Sequence, residues 1–195
     1  MTVTIPAKRA FIIRPARPAD AAAIADLGAH TFTTTFGHSV TAEELQAFLD
    51  ESYTTAAIEK DLEDADRDVI VAVDTDEDSN NKTKNNGDKV LGFAYLTRNS
   101  VEPCLAHLSG TAELQRIYVH PAAHGKGVGS ALSGRITAMA REQGFDKLWL
   151  GVWMENYKAI RTYERWGYRK VGHHDFKVGP VVQTDHIMLK EDLSS

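Results

Sequence analysis

The chain has 195 residues and a formal net charge of −5 without a basic stripe, which argues against nucleic acid as a partner. Its single cysteine, Cys104, excludes an internal disulfide framework and favours a reducing compartment, so we expect a cytoplasmic protein. No apolar run approaches the ~20 residues needed to span a bilayer, so we expect no membrane partner.

The N-terminal third of the chain is predicted to be mainly helical. A short apolar run at 11–13 precedes a helix that begins at the Pro-Ala-Asp segment 18–20. Two further helices are predicted over 41–53, which opens with capping-box spacing, and over 54–64.

A polar stretch at 74–89 separates two predicted strands, at 68–74 and 89–98. It contains no large apolar side chain, which predicts a flexible insertion or a long hairpin tip. The length and apolar content of the rest suit one core, so residues 1–195 are predicted to be a single domain that carries this insertion.

The second half of the chain alternates strands with helices. Because helices dominate the first part and a mixed sheet follows, the pattern predicts an α/β layered domain, not a regular series of parallel strands and helices. Strands are predicted over 113–119, 147–152, 168–176 and 182–189, and helices after the glycine-rich loop at 120–129 and over 156–168.

The stretch HPAAHGKGVGSAL, residues 120–132, places three glycines between a strand and a helix. The first N–H groups of a helix lack internal partners and lie at the positive end of its dipole, so they suit an anion. The glycines let several N–H groups converge, and His124 or Lys126 can add charge at the rim. We expect a phosphate or pyrophosphate here; the alternative is that the glycines only allow the helix to pack closely on the strand.

Two common phosphate loops do not fit this segment. A Walker loop needs Ser or Thr directly after its lysine, whereas Lys126 is followed by Gly127. A dinucleotide-binding loop needs GxGxxG and an acid at the end of the next strand, whereas here the spacing is GxGxG and that strand runs into Gly151. The remaining interpretation is a coenzyme A pyrophosphate.

The loop resembles the pyrophosphate-binding loop of the GCN5-related N-acetyltransferase (GNAT) family, whose pattern is Arg/Gln-x-x-Gly-x-Gly/Ala. The match covers 124–129 with the strand before and the helix after, and it departs from the pattern at His124. The resemblance implies a three-layer α/β/α domain whose mixed, mostly antiparallel central sheet is splayed where acetyl-CoA binds. It also implies a set of residues that bind this cofactor, namely Ile117, Tyr118, Val119, His124, Gly125, Lys126, Gly127, Val128, Gly129 and Ser130.

The segment NYKAIRTYERWGY, residues 156–168, places Asn156, Ala159 and Tyr163 on one helix face. It is similar to the GNAT segment that lines the pantetheine arm and the thioester. By this resemblance Asn156 and Ala159 contact the arm, and Tyr163 donates a proton to the leaving thiolate. A phenol is neutral at pH 7, and such acid catalysis contributes roughly 10²–10⁴ in rate. The alternative is a tyrosine that only packs the helix on the sheet.

The expected nucleophile is a primary amine, which is almost entirely ammonium at pH 7, so a base is needed. Some GNAT proteins carry a glutamate where this chain has Gly151, and others carry one near the start of the strand before the loop, which here gives Glu113. Strand alternation predicts Glu113, Gln115 and Ile117 on one face, with Glu113 toward the splay. The alternative is an exposed glutamate at a strand start.

The C-terminal part resembles more narrowly the bacterial spermidine/spermine N-acetyltransferases of the PaiA type. The similarity lies in WLGVW, the helix with Tyr163, the turn at 171–176 and QTDHIM at 183–188, and it extends to HTFTTTF at 30–36. It implies a polyamine or similar small amine as acceptor. Candidate acceptor-side residues are Phe32 and Phe36, with Glu43, Glu44, Asp175 or Asp185 for distal ammonium groups.

The sequence therefore predicts an acetyl-CoA-dependent amine N-acetyltransferase that works by direct attack in a ternary complex. Peptide or protein N-termini, lysine side chains and drug-like amines are alternative acceptors, and a non-catalytic acyl-CoA-binding module is the alternative of another class. We expect no metal, because His173, His174 and His186 come without a cysteine pair. By analogy with the family, a homodimer formed through the C-terminal strands is a further expectation.

Overall fold

In the part of the chain that the structure describes, seven strands form one sheet. The computed structural model describes residues 11–75, 89–178 and 181–193. The strand order is β1-β2-β3-β4-β5-β7-β6, and every neighbouring pair is antiparallel except β4 with β5. The strands are β1 (Phe11–Pro15), β2 (Arg67–Asp74), β3 (Val90–Thr97), β4 (Thr111–Val119), β5 (Lys147–Trp153), β6 (Arg169–Val178) and β7 (Val181–Lys190).

Helices cover both faces of this sheet. α1, α2 and α3 lie on one face, and α4 and α5 pack on the other. The resulting α/β/α layers and the mostly antiparallel sheet confirm the predicted fold class. The described helices are α1 (Ala21–Phe36), α2 (Ala42–Ser52), α3 (Thr55–Glu63), α4 (Val128–Glu142) and α5 (Tyr157–Arg165).

The local sequence explains where α2 and α3 begin. The Thr41 hydroxyl accepts a hydrogen bond from the Glu44 N–H (3.2 Å), and the Glu44 carboxylate accepts one from the Thr41 N–H (2.9 Å). This is the capping box expected from the spacing. Thr54 caps α3 by accepting from the Ala57 N–H (3.1 Å). Each cap contributes about 1 kcal/mol and fixes the start of a helix on the same face of the sheet.

Two large apolar cores sandwich the described sheet, and a smaller apolar cluster contains Leu105, Trp149, Ile187 and Leu189. The α4-side core includes Ala94, Leu96, Leu114, Leu132, Ile136, Leu148 and Leu150. The α1-side core includes Ile24, Ile58, Val71, Phe93 and Tyr95. Successive residues of β3 alternate between the two cores, as the period of an extended strand requires.

The sheet divides between β4 and β5. These strands pair only at Thr111–Lys147, Ala112–Leu148 and Glu113–Trp149. Beyond these pairs β4 stays with β3 as far as Val119, while β5 stays with β7 as far as Trp153. We call the opening between residues 114–119 of β4 and residues 150–153 of β5 the split. Edge groups of both strands face it, so the split can receive an extended ligand between the two strands.

A β-bulge in β4, at the split, changes which of its residues face each side of the sheet. Leu96 of β3 is opposite Leu114 while Tyr95 is opposite Arg116, so Gln115 is an extra residue on β4. Leu114 and Ile117 both pack in the α4-side core, three positions apart. The prediction that Ile117 shares a face with Glu113 and Gln115 was therefore wrong, because simple alternation does not hold across a bulge.

The predicted insertion at 74–89 lies almost wholly outside the described residues. On either side of it, the N–H of Asp74 donates to the carbonyl of Lys89 (3.0 Å), which closes the expected pair of β2 and β3. Among the described helices, none combines the length and the apolar character needed to cross a membrane.

Candidate active site

The glycine-rich loop joins the end of β4 to α4. Its backbone is left-handed at Gly125 (φ 76°) and at Gly127 (φ 81°), where a residue with a side chain would be strained by roughly 1–2 kcal/mol. A Cβ atom placed at either glycine would meet no other heavy atom within 4 Å. The backbone conformation, and not crowding, therefore requires glycine at both positions, and the space beside the loop is open to a ligand.

The first turn of α4 presents backbone donors to that space. The first helical bond runs from the Ala131 N–H to the Gly127 carbonyl (3.0 Å), and Gly127 has no side chain to cap the turn. The N–H groups of Val128, Gly129 and Ser130 thus precede the helical hydrogen bonds and point along the positive end of the dipole. This arrangement fits a pyrophosphate, as the sequence predicted.

The two side chains that flank the loop differ in what they contact. The His124 ring nitrogen Nε2 lies 3.0 Å from the Val119 carbonyl oxygen, so this imidazole is engaged by its own chain. Lys126 is exposed beside the loop. We therefore expect Lys126, more than His124, to add positive charge at the rim of the loop.

A pocket of about 480 Å³ continues from Ser130 along the groove between α4 and the end of α5. Three cationic side chains line it, Arg141, Arg165 and Lys190. Burial lowers the pKa of Lys190, while nearby Asp192 raises it. The pocket thus extends the anion-binding character of the loop along the same side of the sheet.

Asn156 and Ala159 form the start of α5. The Asn156 carboxamide oxygen accepts a hydrogen bond from the Ala159 N–H (3.2 Å), so Asn156 caps the helix. The amide NH₂ of Asn156 is the donor that this cap leaves for another group. Asn156 is three positions after Trp153, the last residue of β5, so the cap lies at the end of the split.

Tyr163 lies on α5 against the α4-side core. Its ring contacts Trp166 and Tyr168 edge-on, with centroids 5.7 and 6.1 Å apart. Burial raises the pKa of the Tyr163 phenol, and Tyr118 raises it further. The group is therefore neutral across the physiological range and able to donate a proton.

Tyr118 approaches the split from the opposite core. Its hydroxyl lies 2.9 Å from the Tyr53 hydroxyl, and its ring packs on Phe93 in the α1-side core. Burial raises the pKa of Tyr118. Tyr118 raises the pKa of Tyr163, so the two phenols interact electrostatically although the residues pack in different cores.

Glu113 lies at the closed end of the split, where β4 and β5 are still paired. Its neighbours Ala112 and Leu114 face the α4-side core, so Glu113 faces the α1 side. Burial raises the pKa of its carboxyl, while a Ser100 hydrogen bond and the charge of Arg67 lower it. The predicted base is thus a partly buried carboxylate.

Asp185 is a second carboxylate on the α1 side. It lies on β7 opposite Trp153, and its Oδ2 is 3.5 Å from where a Cβ atom would stand at Gly151. Burial raises the pKa of Asp185, and His174 lowers it. Asp185, on the neighbouring strand β7, therefore places its carboxylate beside Gly151, which has no side chain of its own.

The other carboxylates predicted for the acceptor have different surroundings. Glu44 closes the capping box of α2, and Asp175 accepts a hydrogen bond from the Thr184 hydroxyl (3.1 Å). Glu43 is an exposed residue in the first turn of α2. Of the four candidates, Asp185 alone lies beside the split among the described residues.

A buried carboxylate, Glu102, pairs with His174 on the same side of the sheet. Glu102 precedes a 3-10 turn (Pro103–Leu105), and its Oε2 lies 2.7 Å from His174 Nδ1. The pKa of the Cys104 thiol is raised, first by burial and then by Glu102, which does not favour Cys104 as an acyl carrier. The sequence does not predict this pair, because 72 positions separate its members and no motif links them.

Aromatic rings border the α1 side of the split. Trp153 at the end of β5 contacts Phe36 (centroids 5.4 Å apart) and His38 (5.6 Å). Phe32 is instead buried in the α1-side core, stacked on Phe48 at 4.2 Å. The prediction that Phe32 lines the acceptor side was wrong, because the side chain faces inward from α1.

The carboxylates and histidines do not gather into a cation site. Among residues 11–75, 89–178 and 181–193, no group of three His, Cys, Asp or Glu side chains is arranged to hold a metal ion. The candidate site has three parts. They are the split between β4 and β5, the glycine-rich loop on its α4 side, and a group of carboxylates with one imidazole on its α1 side.

Comparison with known proteins decides what kind of site this is. The chain matches the Acetyltransferase (GNAT) family over residues 37–168, which includes the loop and all of α5. The chain belongs to the GNAT family. The resemblance predicted from the two motifs is thereby confirmed, and acetyl-CoA is the acyl donor of this family.

Individual GNAT relatives agree with the assignment. An uncharacterized N-acetyltransferase of Mycobacterium tuberculosis (strain ATCC 25618 / H37Rv) is 27% identical over 172 residues, covering 88% of this chain and 97% of that protein. A streptothricin acetyltransferase of Streptomyces lavendulae is 31% identical over 175 residues, covering 83% of each chain. The crystal structure of a PaiA N-acetyltransferase from Thermoplasma acidophilum in complex with coenzyme A superposes with a TM-score of 0.69 at 17% identity, covering 93% and 98%.

Proposed function

We propose that this GNAT acetyltransferase transfers the acetyl group of acetyl-CoA to a primary amine of a small cationic molecule, such as a polyamine, by direct attack in a ternary complex. The observation that carries the proposal is the split itself. Its α4 side offers backbone donors and cations for a phosphorylated donor, while its α1 side offers half-buried carboxylates and aromatic rings for a cationic acceptor.

The donor is proposed to bind as the sequence predicted. The N–H groups at the start of α4 bind the pyrophosphate, and main-chain groups of β4 pair with the pantetheine arm as if it were a strand. The Asn156 amide donates to that arm, while its oxygen keeps α5 capped. The proposed donor-binding residues are Ile117, Tyr118, Val119, His124, Gly125, Lys126, Gly127, Val128, Gly129, Ser130, Asn156 and Ala159.

Tyr163 is proposed to protonate the leaving sulfur. The raised pKa of its phenol keeps the proton on the oxygen until the thiolate forms, and a thiol is a fair leaving group with an ordinary pKa near 8.5. On the acceptor side, freeing an amine of pKa about 10.4 at pH 7 costs roughly 4–5 kcal/mol, so a base is required. Two groups in the cluster can take this proton: Glu113, predicted from the sequence, and His174.

A cationic small molecule suits the acceptor side. The carboxylates of Glu113 and Asp185 attract ammonium groups, and the faces of Trp153 and Phe36 add cation–π attraction at the entrance. The relative named as a streptothricin acetyltransferase supports a small-molecule acceptor over a protein. A cytoplasmic location and a homodimer through the edge strand β6 belong to the same proposal.

The test is acetyl-CoA-dependent thiol release measured with spermidine, spermine, simple diamines, streptothricin and N-terminal peptides. The matched controls are Tyr163→Phe and Tyr157→Phe, since Tyr157 lies on the same helix but is 63% exposed. Saturable release with a cationic small amine, lost in Tyr163→Phe only, is the expected result. Release with peptides alone would show that the acceptor is a peptide or protein amine. Binding of coenzyme A without thiol release for any amine would favour a non-catalytic acyl-CoA-binding module.

A further inference from the structure

We infer that the base of the reaction is His174 held by Glu102, and that Asp185 and Glu113 bind the cationic acceptor beside it. The inference rests on the proposed function, since it names the group that takes the proton in that reaction. It changes the role predicted for Glu113 from base to binding carboxylate.

The hydrogen bond between Glu102 and His174 sets the tautomer of the imidazole. The Glu102 side chain is only 5% exposed, and its Oε2 lies 2.7 Å from His174 Nδ1. A carboxylate accepts a hydrogen bond, so Nδ1 carries the proton and Nε2 of the neutral ring holds a lone pair. This is the arrangement in which a buried acid orients a histidine for general-base catalysis.

The position of His174 suits this role. His174 and Asp185 are cross-strand neighbours on β6 and β7, and the Asp185 carboxylate lies beside Gly151 on β5, the strand that borders the split. Asp185 also raises the pKa of Tyr118, whose phenol faces the split from β4. The imidazole thus lies one strand behind the carboxylate that is proposed to bind the acceptor, and in this proposal a bridging water carries the proton from the amine to Nε2. Its side chain is 35% exposed, so a proton can pass on to solvent.

The other groups of the cluster are less suited to take the proton. Glu113 lies where β4 and β5 are still paired, so its carboxyl is at the closed end of the split. Cys104 faces Glu102, and its thiol is held neutral by burial and by that charge. The acidic groups that face His174 are Glu102, Glu113 and Asp185.

His174 and Tyr163 together account for every proton that moves in the proposed reaction. His174 takes one proton from the ammonium, which frees the nitrogen lone pair to form the C–N bond. The C–S bond then breaks with its electron pair going to sulfur. Tyr163 gives its phenol proton to that sulfur and recovers the second proton that the nitrogen loses. His174 returns its proton to solvent, so the net change is release of one proton and a neutral thiol.

The test compares His174→Gln with His173→Gln on the best amine from the thiol-release assay. His173 precedes His174 on the same strand but faces away from Glu102, so it is the matched control. We expect His174→Gln to lower kcat about 100-fold with an unchanged Kd for coenzyme A, and His173→Gln to leave kcat unchanged. Glu102→Gln should lower kcat about tenfold, because a neutral amide oxygen is a weaker acceptor for the Nδ1 proton than a carboxylate.

Two further measurements separate the possible failures. Imidazole nitrogen shifts in the free protein should show a proton on Nδ1 of His174, and this preference should disappear in Glu102→Gln. A large loss of kcat and of the acidic limb in Glu113→Gln, with none in His174→Gln, would overturn this inference and leave the proposed function standing. Wild-type protein that acetylates no amine would overturn both.

Discussion

The two sides of the split are assembled in different ways. On the α4 side, the donor site comes from one continuous stretch, the loop and first turn at 120–130, joined by a second stretch at 156–163. On the α1 side, the proposed acceptor site collects Glu102, Glu113, His174 and Asp185 from four separate segments.

The difference follows from what each side must bind. Backbone N–H groups at a helix start recognise a phosphate whatever the neighbouring side chains, so the donor site is a short motif of glycines. The acceptor is recognised by side-chain charge and shape, which any strand near the split can supply. The donor side therefore defines the family, and the acceptor side defines the individual enzyme.

The largest effect is expected from Tyr163→Phe, which tests the donor side at the reacting atoms. Without the phenol proton, kcat should fall about 100-fold or more. The Kd for coenzyme A, measured by calorimetry, should stay within about twofold because the ring keeps its packing against Trp166. A loss of affinity as large as the loss of rate would mean that Tyr163 acts in binding alone.

A smaller effect is expected from Gly127→Ala in the loop. The left-handed backbone at Gly127 would be strained by about 1–2 kcal/mol, so the free loop would relax and the donor Kd should rise about tenfold. The acceptor KM should not change. Gly144→Ala is the control, because Gly144 has a similar positive φ of 86° at the other end of α4, far from the loop. Equal weakening of donor binding in both variants would contradict a local role.

Asp185→Asn tests the acceptor side and should raise the KM for the amine about fivefold with little change in donor affinity. Burial raises the pKa of Asp185, so the native state holds its proton to higher pH than the unfolded chain does. The stability linked to this group is therefore present at low pH and lost as pH rises through the native pKa. Asp185→Asn should increase Tm at pH 7, and the gain should shrink as the pH falls toward 4.

That pH dependence can be measured by thermal unfolding at several pH values. Asp175→Asn is the matched control, because Asp175 is an exposed carboxylate on the neighbouring strand. A drop in Tm at pH 7 for Asp185→Asn would show that the carboxylate stabilises the fold and is not held there for binding.

The smallest effect is expected from Tyr118→Phe. Tyr118 contacts Tyr53 on the α1 side of the split and interacts electrostatically with Tyr163 on the α4 side. The substitution removes one partner of the 2.9 Å hydrogen bond with Tyr53 and should cost about 1 kcal/mol of stability, or about 2–4 °C in Tm. The value of kcat should fall only a few fold, since Tyr163 retains its proton. Tyr53→Phe removes the same hydrogen bond from the other side and should lower Tm similarly without the change in kcat.

Much of the fold and of the donor site could be predicted from the sequence. Thr41 and Glu44 gave a capping box, and the glycines at 125 and 127 gave the left-handed loop, because both features depend on residues a few positions apart. The bulge at Gln115 could not be predicted, since it depends on how β4 pairs with β3, and so Ile117 was placed on the wrong face.

The acceptor site could be predicted only in fragments. Asp185 was one of four acidic candidates, and only the pairing of β5 with β7 brings it beside Gly151. His174 lies in the 171–176 turn, but nothing in the sequence links it to Glu102, because their contact joins segments 72 positions apart. Long-range register decides such contacts, and a single sequence does not contain it.

In the described part of the sheet, three residue pairs join β5 to β4, and His174 and Asp185 both lie on the C-terminal hairpin formed by β6 and β7. A hairpin grafted from a relative would replace His174 and Asp185 together while the donor loop stayed intact. Glu102 would not travel with it, because it precedes β4 on the other portion of the chain. Changing the acceptor by recombination would therefore need a matching residue at position 102, and a mismatch there would produce enzymes that bind both substrates and turn them over slowly.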